Sequence, residues 1–118
     1  MRSKRERAER RGRKGEFLAA LYLVLKGWRI LDRRVKTRRG EVDLVARRWG
    51  TIAFIEVKWR SNRIDLDSAI DAYRLRRVAA AAEVIASRYA KPSNSIRIDV
   101  LLLAPGCWPR HISNAWMP

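Results

Sequence analysis

Glu56 and Lys58 stand two residues apart in Phe54-Ile55-Glu56-Val57-Lys58, and Asp43 precedes Glu56 by thirteen residues in Gly40-Glu41-Val42-Asp43-Leu44. Successive strand residues point to opposite faces, so Glu56 and Lys58 share one face, as do Glu41 and Asp43, with Val42, Leu44, Ile55 and Val57 on the other. If the two segments form a hairpin turning at Trp49-Gly50, Asp43 and Glu56 lie equally far from the turn and meet across the strand pair. Opposed side chains there are only about 5 Å apart, and two carboxylates repel at that distance unless a positive charge lies between them. A divalent cation is the economical solution. Mg²⁺ takes oxygen ligands, keeps several waters and is commonly held by one or two carboxylates plus substrate phosphate oxygens. Asp43, Glu56 and the backbone carbonyl of Val57 could supply the protein's share. Glu41 is a weaker further ligand, since its place beside Gly40 suits a turn contact equally well. Beside such an ion Lys58 can position or deprotonate an attacking water, or stabilise charge on a scissile phosphate. The chemistry is metal-assisted hydrolysis of a phosphodiester. A bare Glu-x-Lys is more often an ordinary ion pair on the polar face of a strand, and Asp43 on the neighbouring strand is what lifts the pattern above that.

These residues need strands and a packed core to hold them. The spacing predicts a helix over 15–26, with Gly27 as its C-terminal cap. Glu16 at its start shares a face with Ala20 and Leu23, which turns the carboxylate inward or towards a cleft. Trp28-Arg29-Ile30-Leu31 reads as a first strand, the basic segment 33–39 leads to a turn at Gly40, and strands follow over 41–46 and 51–59. After a polar loop at 60–62, Asp65 or Asp67 can cap a long helix that ends before Pro92. Its apolar stripe is Val78, Ala81, Ile85 and Tyr89, with Arg74 one turn earlier on the same line. The branched apolar run Ile96 to Leu103 is a buried strand closed by Pro105-Gly106. Helix, three strands, helix and strand make an α/β sandwich with a central mixed sheet.

Composition narrows the partners. The chain has 118 residues, one domain's worth, and carries 27 Lys and Arg against 12 Asp and Glu, a net charge of +15. So positive a body favours polyanions. Residues 1–14 hold eight basic and two acidic residues and no apolar stripe, and we expect a flexible basic arm there, with 15–118 as a single domain. Cys107 and His111 are the only residues of their kinds, which excludes an internal disulfide, a cysteine-based zinc site and a multi-histidine cluster, and fits a reducing cytoplasm. The apolar run Phe17 to Leu25 lacks a cleavage site and falls short of the roughly 20 residues that span a bilayer, so no membrane role is expected. Arg38, Arg39, Arg60, Arg63, Arg74 and Arg77 flank the acidic site and could hold phosphates, or form an ordinary solvated face. Trp49 and Trp59 could stack on bases or pack on their neighbours.

Gly12, Gly15-Glu16, Gly27-Trp28, Ile30-Leu31, Gly40 to Ala46, Phe54 to Lys58 with Arg60, Arg97-Ile98-Asp99-Val100, and His111-Ile112 to Ala115-Trp116 together resemble the YraN-like family of small bacterial proteins, over roughly residues 12–116. That family is similar to the restriction-endonuclease-like, PD-(D/E)xK superfamily, which includes archaeal Holliday-junction resolvases. The resemblance implies an αβββαβ core with a mixed sheet flanked by helices and an Mg²⁺ or Mn²⁺ site at Asp43 and Glu56. It further implies Lys58 as the catalytic lysine and Glu16 as an additional helix-borne acid. The family pattern carries Asn where this chain has Arg34, and Lys or Gln near Arg74 to Arg76. The expected function is that of a metal-dependent endonuclease acting on DNA before RNA, including branched or structured DNA, for which symmetric nicking would call for a homodimer. The alternative is a non-catalytic, basic DNA- or RNA-binding module, ribosome-associated for instance, whose carboxylates only brace the fold.

Overall fold

The computed structural model describes residues 4–59 and 72–116, with side chains in the first helix from residue 14 onward. The elements run α1 (Lys4–Leu25), β1 (Arg29–Thr37), β2 (Gly40–Arg48), β3 (Thr51–Trp59), α2 (Ala72–Tyr89), β4 (Ser95–Leu103) and β5 (Arg110–Ile112). The strands form one sheet in the order β1-β2-β3-β4-β5. Every neighbouring pair is antiparallel except β3 and β4, which are parallel and joined through α2. No described helix is long and apolar enough to cross a membrane.

The two described helices cover opposite faces of the sheet. Ala19, Ala20 and Leu23 of α1 pack with Trp28, Leu44, Ala46, Ala53, Ile55, Leu101 and Leu103. On the other face Leu75, Val78, Ala81, Ala82 and Ile85 of α2 meet Val42, Val45, Ile52, Phe54, Ile98, Val100 and Leu102. Strand β4 feeds both cores with alternate residues, which is why it reads as an unbroken apolar run. At the end of α1, Gly27 adopts φ 92°. Its N–H reaches the Val24 carbonyl at 3.0 Å and that of Trp28 the Leu23 carbonyl at 2.9 Å, so the expected cap is a Schellman motif.

Four features depart from the sequence reading. Helix α1 starts at Lys4 instead of Gly15: the preceding segment is rich in Arg, Lys, Glu and Ala, strong helix formers that need no buried stripe to continue a helix already nucleated. Strand β1 runs on through the basic segment to Thr37, because an edge strand keeps its charged side chains in water and needs only Val35 to dock. A fifth strand, too short to announce itself by periodicity, pairs with β4 at Val100, Leu101 and Leu102. Finally, alternation breaks in β2: Val42 and Val45 join the α2 side while Leu44 joins the α1 side, so Val42 and Leu44 do not share a face. The break lies opposite Arg34, between the pairs Arg33↔Leu44 and Val35↔Val42, and Arg34 has φ 50°. A left-handed backbone costs a β-carbon-bearing residue about 1–2 kcal/mol. Asp43 therefore sits at a kink in its strand.

Candidate metal and nucleic-acid site

The register of β2 and β3 pivots on Trp49-Gly50 and runs Arg48↔Thr51 to Leu44↔Ile55. One step further it would oppose Asp43 to Glu56, but the ladder stops there. In its place Oδ2 of Asp43 accepts the backbone N–H of Val57 at 2.7 Å, which ties the kinked end of β2 to β3. Glu56 and Lys58 project to the α2 side and are buried, at 5% and 4% exposure. Oε1 of Glu56 lies 3.5 Å from Lys58 Nζ and 3.3 Å from Arg74 Nε. Its Oε2 is buried and has no hydrogen-bond partner among the described residues.

Asp43 and Glu56 floor a cleft of about 640 Å³, closed at one side by Tyr73, Arg74 and Arg77 of α2 and at the other by Lys36 and Glu41. The walls approach this closely because position 40 is glycine. A β-carbon there would lie 2.4 Å from the Arg77 carbonyl oxygen, so any larger residue would push α2 away from β2. Burial pushes the Asp43 carboxyl up to about 6, and the negative charges of Glu16, Glu56 and Glu41 add to the effect against the opposing Val57 N–H. The cleft thus concentrates acid that its own cations only partly neutralise, in a chain that is otherwise strongly basic.

A divalent ion fits these donors. Two adjacent carboxylates, one with an orphaned buried oxygen and one whose ionisation is suppressed, are what a hard cation would complete. The described residues contain no group of three or more Asp, Glu, His or Cys side chains able to hold a metal, so the remaining ligands would be backbone carbonyl, water and substrate oxygen.

The other expected residues divide. Arg74 and Arg77 line the cleft with Asp43, Glu56 and Glu41, and Glu41 is exposed at its rim. The carboxylate of Glu16 is engaged by Arg34, close enough to act on Asp43 through its charge. Arg39 turns to Glu83 on the outside of α2 at 3.4 Å, and Arg38 is exposed at the β1–β2 turn. Arg60 and Arg63 lie outside the described residues, as do Asp65 and Asp67. Trp59 packs with the α1-side core, 3.5 Å from where a β-carbon of Gly15 would be, while Trp49 is exposed at the far end of the β2–β3 hairpin. Tyr73 and Lys36 line the cleft and escaped the sequence reading. Tyr73 stands four residues before the expected Arg77 on one helix face, a detectable signal, whereas Lys36 declares itself only once β1 is known to continue to Thr37.

A second polar cluster serves the fold. Asp99 is fully buried on β4 and accepts hydrogen bonds from Arg97 at 3.2 and 2.8 Å, from the backbone N–H of Asn114 at 2.8 Å, and makes one with His111 Nε2 at 2.7 Å. Burial alone would raise its carboxyl; the bonds from His111, Arg97 and Asn114 outweigh it and hold the group below the usual carboxylate range. The cluster fastens β5 and the segment after it onto β4.

A mixed sheet with a helix on each face, three leading antiparallel strands and a parallel fourth defines a restriction-endonuclease-like α/β protein. The fold is similar to that of Hjc from Archaeoglobus fulgidus, a Holliday junction resolvase from an archaeal hyperthermophile, which matches at a TM-score of 0.60 and 20% identity over 87% of this chain and 72% of that one. Within that class the chain belongs to the uncharacterised protein family UPF0102, whose model matches residues 15–103. It is 64% identical over 115 residues to a UPF0102 protein of Erythrobacter litoralis, covering 98% of this chain and 99% of the relative. A UPF0102 protein of Sphingopyxis alaskensis is 60% identical over 114 residues, covering 97% of this chain and 98% of the relative.

Proposed function

We propose that this protein is a Mg²⁺- or Mn²⁺-dependent endonuclease that hydrolyses phosphodiester bonds in DNA, with branched or otherwise structured DNA as its substrate. The observation that carries the reading is the buried Oε2 of Glu56, without a hydrogen-bond partner among the described residues, beside the protonation-prone Asp43, at the floor of a cleft rimmed by Lys36, Arg74 and Arg77. The fold likeness to a Holliday junction resolvase supports the same chemistry. Asp43, Glu56 and the Val57 carbonyl would hold the ion, which when bound supplies charge stabilisation at the scissile phosphate and acidifies a water. Lys58, fixed by burial next to Glu56, orients the attacking water or meets the developing phosphoryl charge. Lys36, Arg74 and Arg77 hold the phosphates on either side, which fixes the strand without reading its sequence. Glu16 acts at one remove, through the field it places on Asp43. Symmetric nicking of a junction would use two copies of the chain, and the setting would be the cytoplasm.

The test is cleavage of labelled single strands, duplexes, flaps, four-way junctions and RNA in Mg²⁺ and in Mn²⁺, wild type beside Asp43→Ala and Lys58→Ala. Cleavage that both substitutions abolish in folded, DNA-binding protein supports the reading. A wild type that binds these substrates and cuts none of them with either ion overturns it. The outcome would then favour the second reading, a binding module, which draws on the ion pairs Glu56 already makes with Lys58 and Arg74.

A further inference from the structure

The far end of the β2–β3 hairpin carries a feature that neither the cleft nor the core employs. Trp49 is 85% exposed there, and its backbone has φ 53°, a left-handed conformation that a bulky residue adopts only at a cost. Its ring is nevertheless held. The Arg48 guanidinium lies 5.5 Å from the centre of the Trp49 ring and 4.6 Å from that of Trp28, which is buried. A second guanidinium, that of Arg97, lies 5.3 Å from the Trp28 ring, and Arg97 is itself fixed to the buried Asp99 at 2.8 Å. Rings and guanidinium groups thus alternate from the core out to solvent, each contact within the range where a cation is attracted to a ring.

Charge selects the partner. Segments 26–31 and 46–52 meet at this corner, and they hold the four cations Lys26, Arg29, Arg47 and Arg48 and no acid. Ala46 faces the α1 core, so alternation puts Arg48 on that side and Arg47 on the other, directly across from Arg29. Like charges opposed on neighbouring strands are destabilising, and a phosphate between them turns the repulsion into attraction. We propose that this corner is a second nucleic-acid contact, in which an unpaired base stacks on Trp49 while Arg29 and Arg47 hold the adjoining phosphate. Every base has a π-face, so the contact tolerates any sequence, whereas a base inside a duplex already gives its faces to its neighbours. Trp49 stands six residues after Asp43, roughly 20 Å away at the rise of a strand. The platform is therefore separate from the cleft, and it needs neither metal nor cleavage to act.

The measurement is fluorescence anisotropy on the full-length protein in chelator, with a labelled DNA single strand, its RNA equivalent and the DNA duplex of the same sequence. Wild type is compared with Trp49→Ala, Trp49→Phe and Arg47→Gln. Trp49→Ala should weaken binding of both single strands by about five- to thirtyfold and that of the duplex by less than about twofold. Trp49→Phe keeps a ring and should recover most of the loss. Tryptophan carries no charge, so Trp49→Ala should leave the salt dependence of single-strand affinity unchanged. Arg47→Gln should flatten it, by about 0.7 in the slope of log K against log salt. Unchanged single-strand affinity in Trp49→Ala, an equal loss on the duplex, a Trp49→Phe as weak as Trp49→Ala, or an unaltered slope in Arg47→Gln overturns the proposal. None of these results bears on the metal-dependent reading of the cleft, which chelator silences.

Discussion

Asp43 ionises at the expense of the fold, and the expense can be measured. A carboxyl whose pKa is higher in the folded chain than in the unfolded one holds its proton more tightly when folded, so its ionisation opposes folding. For Asp43 the two values are about 6 and 3.8. At about 1.4 kcal/mol for each tenfold change in acidity, that gap is worth about 3 kcal/mol at neutral pH. Partial solvent access at the cleft reduces it to roughly 1–3 kcal/mol. Asp43→Asn keeps an oxygen for the Val57 N–H and removes the charge. The metal-free variant should therefore be the more stable protein at pH 7.5, by about 1–3 kcal/mol. The wild type should gain that stability as the pH falls from above 6 towards 4, and the variant should not. The assay is urea unfolding in chelator at pH 7.5, 6 and 4.5, read as the difference between the two proteins so that all other titrations cancel. Adding Mn²⁺ should raise the wild type alone. Equal stability at pH 7.5, or a variant that is the weaker protein there, would refute the claim that the cleft holds uncompensated acid.

Two further outcomes follow from the packing. Gly40→Ala should destabilise the chain by about 1–3 kcal/mol in thermal or urea unfolding, because its β-carbon meets the Arg77 carbonyl at 2.4 Å and α2 must shift. It should also lower nucleic-acid affinity, since Arg74 and Arg77 ride on that helix. Asp99→Ala should lower stability by about 3–5 kcal/mol, because it strands Arg97 and His111 around a buried gap. The lowered pKa of Asp99 means that its contribution is complete above the ordinary carboxylate range and is lost only as pH falls through the folded value. Acid titration should therefore show wild type and Asp99→Ala converging below about pH 4, and parallel curves would count against the assignment.

What the chain discloses in advance is whatever depends on period and register. The pivot at Trp49-Gly50 fixes the pairing that brings Asp43 level with Glu56, and the two-residue spacing of Glu56 and Lys58 puts both on the α2 face. Gly27 signals the end of α1, and the apolar run of β4 signals burial on both sides. What escapes is whatever departs from period. Ideal alternation cannot foresee that Arg34 turns left-handed and throws Val42 and Leu44 to opposite faces. It therefore misses the reason Asp43 reaches a backbone N–H of β3 rather than lying in the ladder. A three-residue strand such as β5 carries too little pattern to read, and is held by Asp99 from a strand eight residues upstream in the pairing Leu102↔Arg110. The Arg74–Glu56 contact joins two elements that periodicity cannot orient towards each other, so it depends on how α2 lies on the sheet, which Gly40 decides by sterics.

The sheet closes on one side with β5 and ends on the other with β1, whose outward strand carries Arg29, Arg33, Arg34 and Lys36. Arg29 even sits across from Arg47 of β2. Such an edge repels its own image: two copies brought together by adding β1 to β1 would set a row of guanidinium and ammonium groups against another. Like charges along an outer strand thus do for this sheet what a covering helix or a proline does for others: they keep an unpaired row of backbone N–H and C=O groups from becoming a template for another strand.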